Sequence, residues 1–145
     1  GFLPGSFNDK ISPYMTPIFD ILQKYLDKRE LETMISNGSI LTLPLAFHRG
    51  ITFEDAWVTG DEFQNTLPQQ VRMFLTRIGK NCKVVVTGDP QQSDIRGTNG
   101  LEDACKRLVG VECLGIVYLT DKCIVLHPIV GEIDKKYKTK EETVN

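Results

Sequence analysis

The chain has 145 residues, 41% of them apolar and 25% charged, the composition of an ordinary globular domain with a core of its own. Its net charge of -2 excludes a chain-wide basic footprint for nucleic acid, and no apolar run reaches the length of a membrane span. The four cysteines, at 82, 105, 113 and 123, form no C-x-x-C pair, which argues against a zinc knuckle or a dithiol redox motif. Reduced thiols and a cytoplasmic location are the expectation. The first residues carry no signal-peptide pattern, and a start at Gly1 rather than methionine is read as a fragment or a processed piece.

In chain order, Gly1, Pro4, Gly5, Asn8, Asp9 and Pro13 punctuate residues 1 to 13, which read as a loop. "YMTPIFDILQKYLD" follows, with Ile18, Ile21, Leu22, Tyr25 and Leu26 at helical spacing and Pro17 in an early turn. A second helix spans roughly Glu30 to Ser36 and stops at Asn37-Gly38. "ILTLPLAF" reads as a strand limited by Pro44. "DAWVTGDE" reads as a short strand running into acids, with Trp57 in the core. Residues 67 to 78, "LPQQVRMFLTRI", form an amphipathic helix with Pro68 in its first turn and Val71, Phe74, Leu75 and Ile78 inward. Lys83 to Thr87 is a strand, Gly100 to Val109 a helix, and two short strands follow between Cys113 and Leu126. A last helix starts near Pro128, and the charged tail, residues 139 to 145, is expected to fray.

Strands alternating with helices predict an α/β fold with a mainly parallel sheet, whose ligands sit beyond the carboxyl ends of the strands. Two strands end in polar clusters that would share one edge, "VTGDEFQN" and "VVVTGDPQQ". In the first, Asp61 can hold magnesium and Glu62 can orient a water, the division of labour that phosphoryl transfer needs. An acidic turn is the plain alternative. In the second, a neutral glutamine amide within Gly88-Asp89-Pro90-Gln91-Gln92 can donate to a terminal phosphate oxygen, and a proline-containing turn is the alternative. Two such ends separated by one helix say more than either alone.

"GFLPGSFNDKISPYMTPIFD", "LAFHRGITFEDAWVTGDEFQNT", "MFLTRIGKNCKVVVTGDPQQSDI" and Gly100-Leu101 occur in this order and spacing. With them the chain resembles the PhoH family of phosphate-starvation-inducible ATPases, including its phage-borne members. That family is itself similar to the first motor domain of superfamily-one helicases. The resemblance covers roughly residues 1 to 137 and implies a RecA-like P-loop NTPase core, N-terminally truncated, over residues 1 to 138. It further implies ATP and magnesium as ligands. "DEFQN" takes the place of the Walker B segment, with Asp61 on the metal and Glu62 on the water. Gln92 takes the place of the phosphate-sensing glutamine, and Asp89 lines the same site. Arg49 and Arg77 match family positions, and Arg77 would reach a phosphate, in a neighbouring subunit of a homo-oligomer; a solvated helix-end arginine is the alternative. RNA or single-stranded DNA is the implied partner to be remodelled. Lys135, Lys136, Lys138 and Lys140 around Tyr137 could touch it, or form a solvated helix end. No membrane partner is expected. His48 and His127 have no companion spacing for a metal and are given structural roles.

Three departures from the family pattern stand out. Phe63 replaces a small residue, Thr59-Gly60 stands where an apolar pair usually precedes the aspartate, and Leu126-His127-Pro128 lacks the arginine usual before His-Pro. No G-x-x-x-x-G-K-[ST] stretch occurs in the 145 residues, and in the family that loop lies upstream of the point matched by Gly1. A catalytically silent binding or assembly module is therefore the competing reading. In RecA-like sheets the phosphate-loop strand lies beside the strand that here ends at Thr87. Its absence would leave Lys83 to Thr87 an open edge.

The 145-residue chain by itself is expected to bind nucleotide weakly and to turn over no appreciable ATP, because no backbone cradle for the β- and γ-phosphates is encoded in it. Phosphate release by the purified chain, abolished by Asp61→Asn, would contradict this.

Overall fold

The computed structural model describes residues 7–120, 123, 125, 127, 129–133 and 136. Helices and strands are α1 (Phe7–Leu22), α2 (Lys28–Ser36), β1 (Trp57–Gly60), α3 (Pro68–Leu75), β2 (Lys83–Val86) and α4 (Gly100–Arg107). Short 3₁₀ turns lie at Leu45–Phe47, Phe63–Asn65 and Pro90–Gln92. No helix among the described residues is long and apolar enough to cross a membrane.

β1 and β2 pair into a two-stranded sheet. Lys83 N–H donates to the Ala56 carbonyl at 2.9 Å, and Thr87 N–H to the Gly60 carbonyl at 2.8 Å. Both bonds join positions at the same separation along the chain, the mark of parallel strands, and α3 is the crossover such strands require. The chain divides into two compact units, Gly1–Val58 with Met73–Lys83, and Thr59–Arg72 with Val84–Asn145. The division falls within β1, α3 and β2.

In the first unit, α2 begins because Asp27 caps it, its carboxylate accepting from Glu30 N–H at 2.8 Å. It ends at Asn37, and Gly38 follows at φ +79°, the left-handed stop that glycine supplies at least cost. An aromatic cluster forms the packing centre of this unit. His48 meets Phe53 and Phe74 edge-on with ring centroids 5.3 and 5.6 Å away, and the two phenyl rings stand 5.6 Å apart. The Leu43 carbonyl can only accept, so His48 Nε2 carries the proton of their 3.1 Å bond. His48 is thereby a core residue, as its lack of companion spacing suggested.

In the second unit, α4 is capped by Asn99, only 2% exposed, whose side chain accepts from Glu102 N–H at 2.9 Å. Glu102 and Asp103 sit in its first turn and Lys106 and Arg107 in its last, each charge complementing the helix dipole. Gly100 N–H donates to the Thr66 carbonyl at 2.7 Å. This bond needs a glycine, because a Cβ there would stand 2.8 Å from the Leu67 carbonyl oxygen. α4 thus packs directly on the 3₁₀ turn Phe63–Asn65.

The expectations for α2, β1, α3, β2 and α4 hold within a few residues. Others need correction. The loop read over residues 1 to 13 is helical from Phe7 onward, and residues 1–6 lie outside the described residues. Pro13 and Pro17 each remove one helical donor, so punctuation by proline marked lost bonds rather than a break. Tyr25, read at helical spacing, follows the end of α1 and is 82% exposed. "ILTLPLAF" is no strand: Pro44 leads a 3₁₀ turn, its carbonyl accepting from Phe47 N–H at 2.9 Å. Val71 and Phe74 are buried as expected, but Ile78 is 46% exposed. α3 stops at Leu75, and Ile78 instead pairs through its backbone in a parallel bridge with Phe53, so helical spacing no longer applies there. Trp57, expected in the core, is exposed on β1. No strand occurs among the described residues after Cys113, and residues 114–120 pair with no strand there. Residues 129–133 are helical, whereas Pro128, Leu126, Lys135, Tyr137, Lys138, Lys140 and the tail 139–145 lie outside the described residues.

Among the described residues only Leu31, Phe63, Val71 and Phe74 are buried hydrophobics, while Trp57, Val117, Leu119 and Val125 are well exposed. A two-stranded sheet with so small a core is marginal alone. The 145-residue chain is therefore expected to self-associate in sedimentation experiments, with a melting midpoint that rises with concentration. A monomer melting cooperatively and independently of concentration would count against it.

Candidate functional site

β1 delivers Asp61 and Glu62 at its carboxyl end, and β2 delivers Thr87, Gly88 and Asp89 at the same end of the parallel pair. The Thr87 hydroxyl donates to Asp61 Oδ1 at 2.6 Å, and Glu62 N–H donates to the same oxygen at 3.0 Å. Both bonds fall on one carboxylate oxygen. Asp61 Oδ2 has no partner among the described residues, and the side chain is exposed. Magnesium takes one or two carboxylates together with waters and phosphate oxygens, so a single exposed carboxylate meets its demand on the protein.

Glu62 adopts the left-handed conformation, φ 58° and ψ 35°, which costs a residue with a Cβ roughly 1–2 kcal/mol. The reversal turns the chain into the 3₁₀ turn Phe63–Asn65 and brings Phe63 N–H within 3.1 Å of the Thr87 carbonyl. Two departures from the family pattern turn out to complement each other here. The ring of Phe63, a residue only 4% exposed, lies over Gly60, where a Cβ would stand 2.7 Å from Phe63 Cζ. The large residue in the motif is accommodated by the glycine at the end of the strand.

Gln64, 1% exposed, occupies the centre of the site. Its Nε2 donates to Glu62 Oε2 at 2.6 Å, and its Oε1 accepts from Asp89 N–H at 3.2 Å. Ser93 Oγ donates to the Gln64 carbonyl at 2.8 Å, and Asp94 N–H to Asn65 Oδ1 at 2.9 Å. Asp89 in turn caps the turn Pro90–Gln92: Oδ1 accepts from Gln91 N–H at 3.0 Å and Oδ2 from Gln92 Nε2 at 2.9 Å. Asp61, Glu62, Asp89 and Gln92 therefore lie in one hydrogen-bonded cluster of the second unit. Arg77 belongs to the first unit, where its carbonyl accepts from Phe53 N–H at 2.8 Å and its Nε is buried without a hydrogen bond among the described residues. Thr87, Gln64 and Ser93 were not singled out from sequence. A glutamine inside "DEFQN" carries no signal of burial, and only the glycine opposite it, Gly88, hinted at a close approach. Among the described residues no three His, Cys, Asp or Glu side chains converge as a metal cluster.

The fold and the site define a mixed α/β chain with a small parallel sheet whose strand ends gather carboxylates and amides. A family model described as PhoH-like protein matches residues 1–138, and the chain belongs to this family, one of P-loop ATPases. It is 42% identical over 144 residues to a PhoH-like protein of Mycobacterium bovis, covering 98% of this chain and 41% of that one. It is 40% identical over 139 residues to a PhoH-like protein of Bacillus subtilis, covering 94% and 44%. Protein PhoH of Escherichia coli K12 is 42% identical over 121 residues, covering 81% and 34%. The chain thus spans less than half of the length of each of these relatives.

Gly88 is the residue that allows the two strand ends to meet. A Cβ there would stand 2.5 Å from Gln64 Oε1 and 2.9 Å from Leu101 Cδ2. Gly88→Ala is expected to destabilise the chain by about 1–3 kcal/mol in urea denaturation and to speed hydrogen exchange at the Asp89 amide. An unchanged midpoint together with unchanged exchange would show that the approach is looser than described.

Proposed function

We propose that this chain supplies the metal-holding, water-orienting and phosphate-sensing part of a PhoH-like ATP-hydrolysing site. The single observation that carries the reading is the joining of Asp61 and Glu62 to the Asp89–Gln92 turn within one hydrogen-bonded cluster at the strand ends. Family membership supports it.

In this reading Asp61 holds magnesium through its unpartnered Oδ2. Magnesium, when bound, neutralises charge on the β- and γ-phosphate oxygens. Glu62 accepts a hydrogen bond from a water and aims it at the γ-phosphorus. The water oxygen bonds to the γ-phosphorus as the bond from that phosphorus to the bridging oxygen breaks, the water's proton passes to the phosphate formed, and ADP and inorganic phosphate leave. Gln92, released from Asp89, donates its amide to a γ-phosphate oxygen and so reports that oxygen's presence. Arg77 contributes positive charge across a subunit boundary of a homo-oligomer. Coupling of hydrolysis to movement of RNA or single-stranded DNA is part of the same proposal. A second reading, a catalytically silent binding or assembly module, is favoured by Leu126-His127-Pro128, where no cationic side chain precedes His-Pro.

Glu62→Gln separates the two. In the full reading frame that encodes this segment, the substitution should lower ATP hydrolysis about 10²-fold or more while ATP and magnesium binding persist by calorimetry. Hydrolysis at the unsubstituted rate would remove Glu62 from the water-orienting role. Its absence from the unsubstituted protein would favour the silent module.

A further inference from the structure

We propose that Gln64 is the positioning residue of this site. Its buried carboxamide sets the Glu62 carboxylate in place and ties it to the backbone of the turn that carries Gln92. The inference rests on the reading of Glu62 as the water-orienting group and adds to it the group that holds Glu62 and links it to phosphate sensing.

Several observations converge on this side chain. A carboxamide that is 1% exposed must find partners, since a buried unpaired polar group costs about 1–3 kcal/mol. The partners chosen are the functional ones. Asp89 N–H can only donate and the Glu62 carboxylate, when ionised, can only accept, so the two ends of the amide cannot exchange places. Nε2 faces Glu62 and Oε1 faces Asp89 by chemical necessity. The 2.6 Å bond to Glu62 is a short, charge-assisted one, strong enough to fix a carboxylate on an otherwise exposed side chain. Glu62 is also held in a left-handed backbone conformation, which persists only where the surroundings impose it.

The carboxamide is not what holds the turn itself together. That is done by the bond from Phe63 N–H to the Thr87 carbonyl, by Thr66 Oγ1 donating to the Phe63 carbonyl at 2.6 Å, and by Ser93 Oγ donating to the Gln64 carbonyl. These bonds survive a change of the Gln64 side chain. The amide therefore has one distinguishable task, to set a carboxylate from one strand end against the backbone of the other. A shift of the Pro90–Gln92 turn, as Gln92 exchanges Asp89 for phosphate, moves the Asp89 amide and with it the anchor of Glu62.

Two variants test this. Gln64→Met keeps the shape and removes both polar contacts. Gln64→Glu keeps an acceptor for Asp89 N–H and replaces the amide donor with a carboxyl that competes with Glu62 for one proton. In the full reading frame, each is expected to lower kcat by about 10- to 100-fold with KM for ATP little changed, as loss of an orienting outer-shell partner does. In the Gln64→Met background, Glu62→Gln should cost far less than it does alone, because the carboxylate is already misplaced. In the 145-residue chain, exchange at the Asp89 amide should quicken in Gln64→Met and stay protected in Gln64→Glu. A core-filling role predicts a lowered melting midpoint with kcat per folded molecule unchanged in both variants, and that result would overturn the proposal. If the unsubstituted protein hydrolyses no ATP, the functional reading above fails, and the Asp89 exchange pattern still decides the tether. Equal protection in both variants refutes it, and the split pattern upholds it.

Discussion

A single carboxamide bridges the ends of the two parallel strands, and the alignment of Glu62 with the Asp89 turn depends on it. Gln64 bonds to Glu62 on one side and to the Asp89 backbone on the other, in a place water does not reach. An amide is suited to this because it offers a donor and an acceptor at fixed geometry without a charge of its own. A carboxylate there would repel Glu62, and an apolar side chain would leave the Asp89 N–H without its partner.

Around this bridge the neighbouring residues are small where the backbone must approach and polar where it must be held. Gly88 leaves room for the Gln64 carboxamide, and Gly100 lets α4 begin against Thr66. Gly60 leaves room for the Phe63 ring. That ring departs from the family pattern, and so does the glycine beneath it. Their contact leaves Asp61 and Glu62 in place at the strand end.

The cluster also leaves particular groups for ligands. Asp61 receives both of its hydrogen bonds on one oxygen and presents the other. Gln92 is turned onto Asp89, a partner that a phosphate oxygen can replace because both are acceptors of the same amide donor. Glu62 presents one oxygen to Gln64 and has the other for solvent or a bound water. Those geometries suit the phosphate-handling role proposed above.

Amino-acid order alone identified β1, β2, α2, α3 and α4, because caps, stops and runs of β-branched residues are local properties of the chain. It also identified Asp61, Glu62, Asp89 and Gln92 as one group, because parallel strands place their carboxyl ends together whatever their side chains. It misread "ILTLPLAF" and the segment after Cys113, where apolar composition suited a strand but, among the described residues, no strand pairs with either. It misread Trp57 and Ile78 because spacing says which residues share a face and not whether anything covers that face. Gln64 and Thr87 were beyond it altogether. The partner of a side chain in a turn is decided by how closely another segment approaches, and that distance exists only once the strands have paired and Gly88 has let them meet.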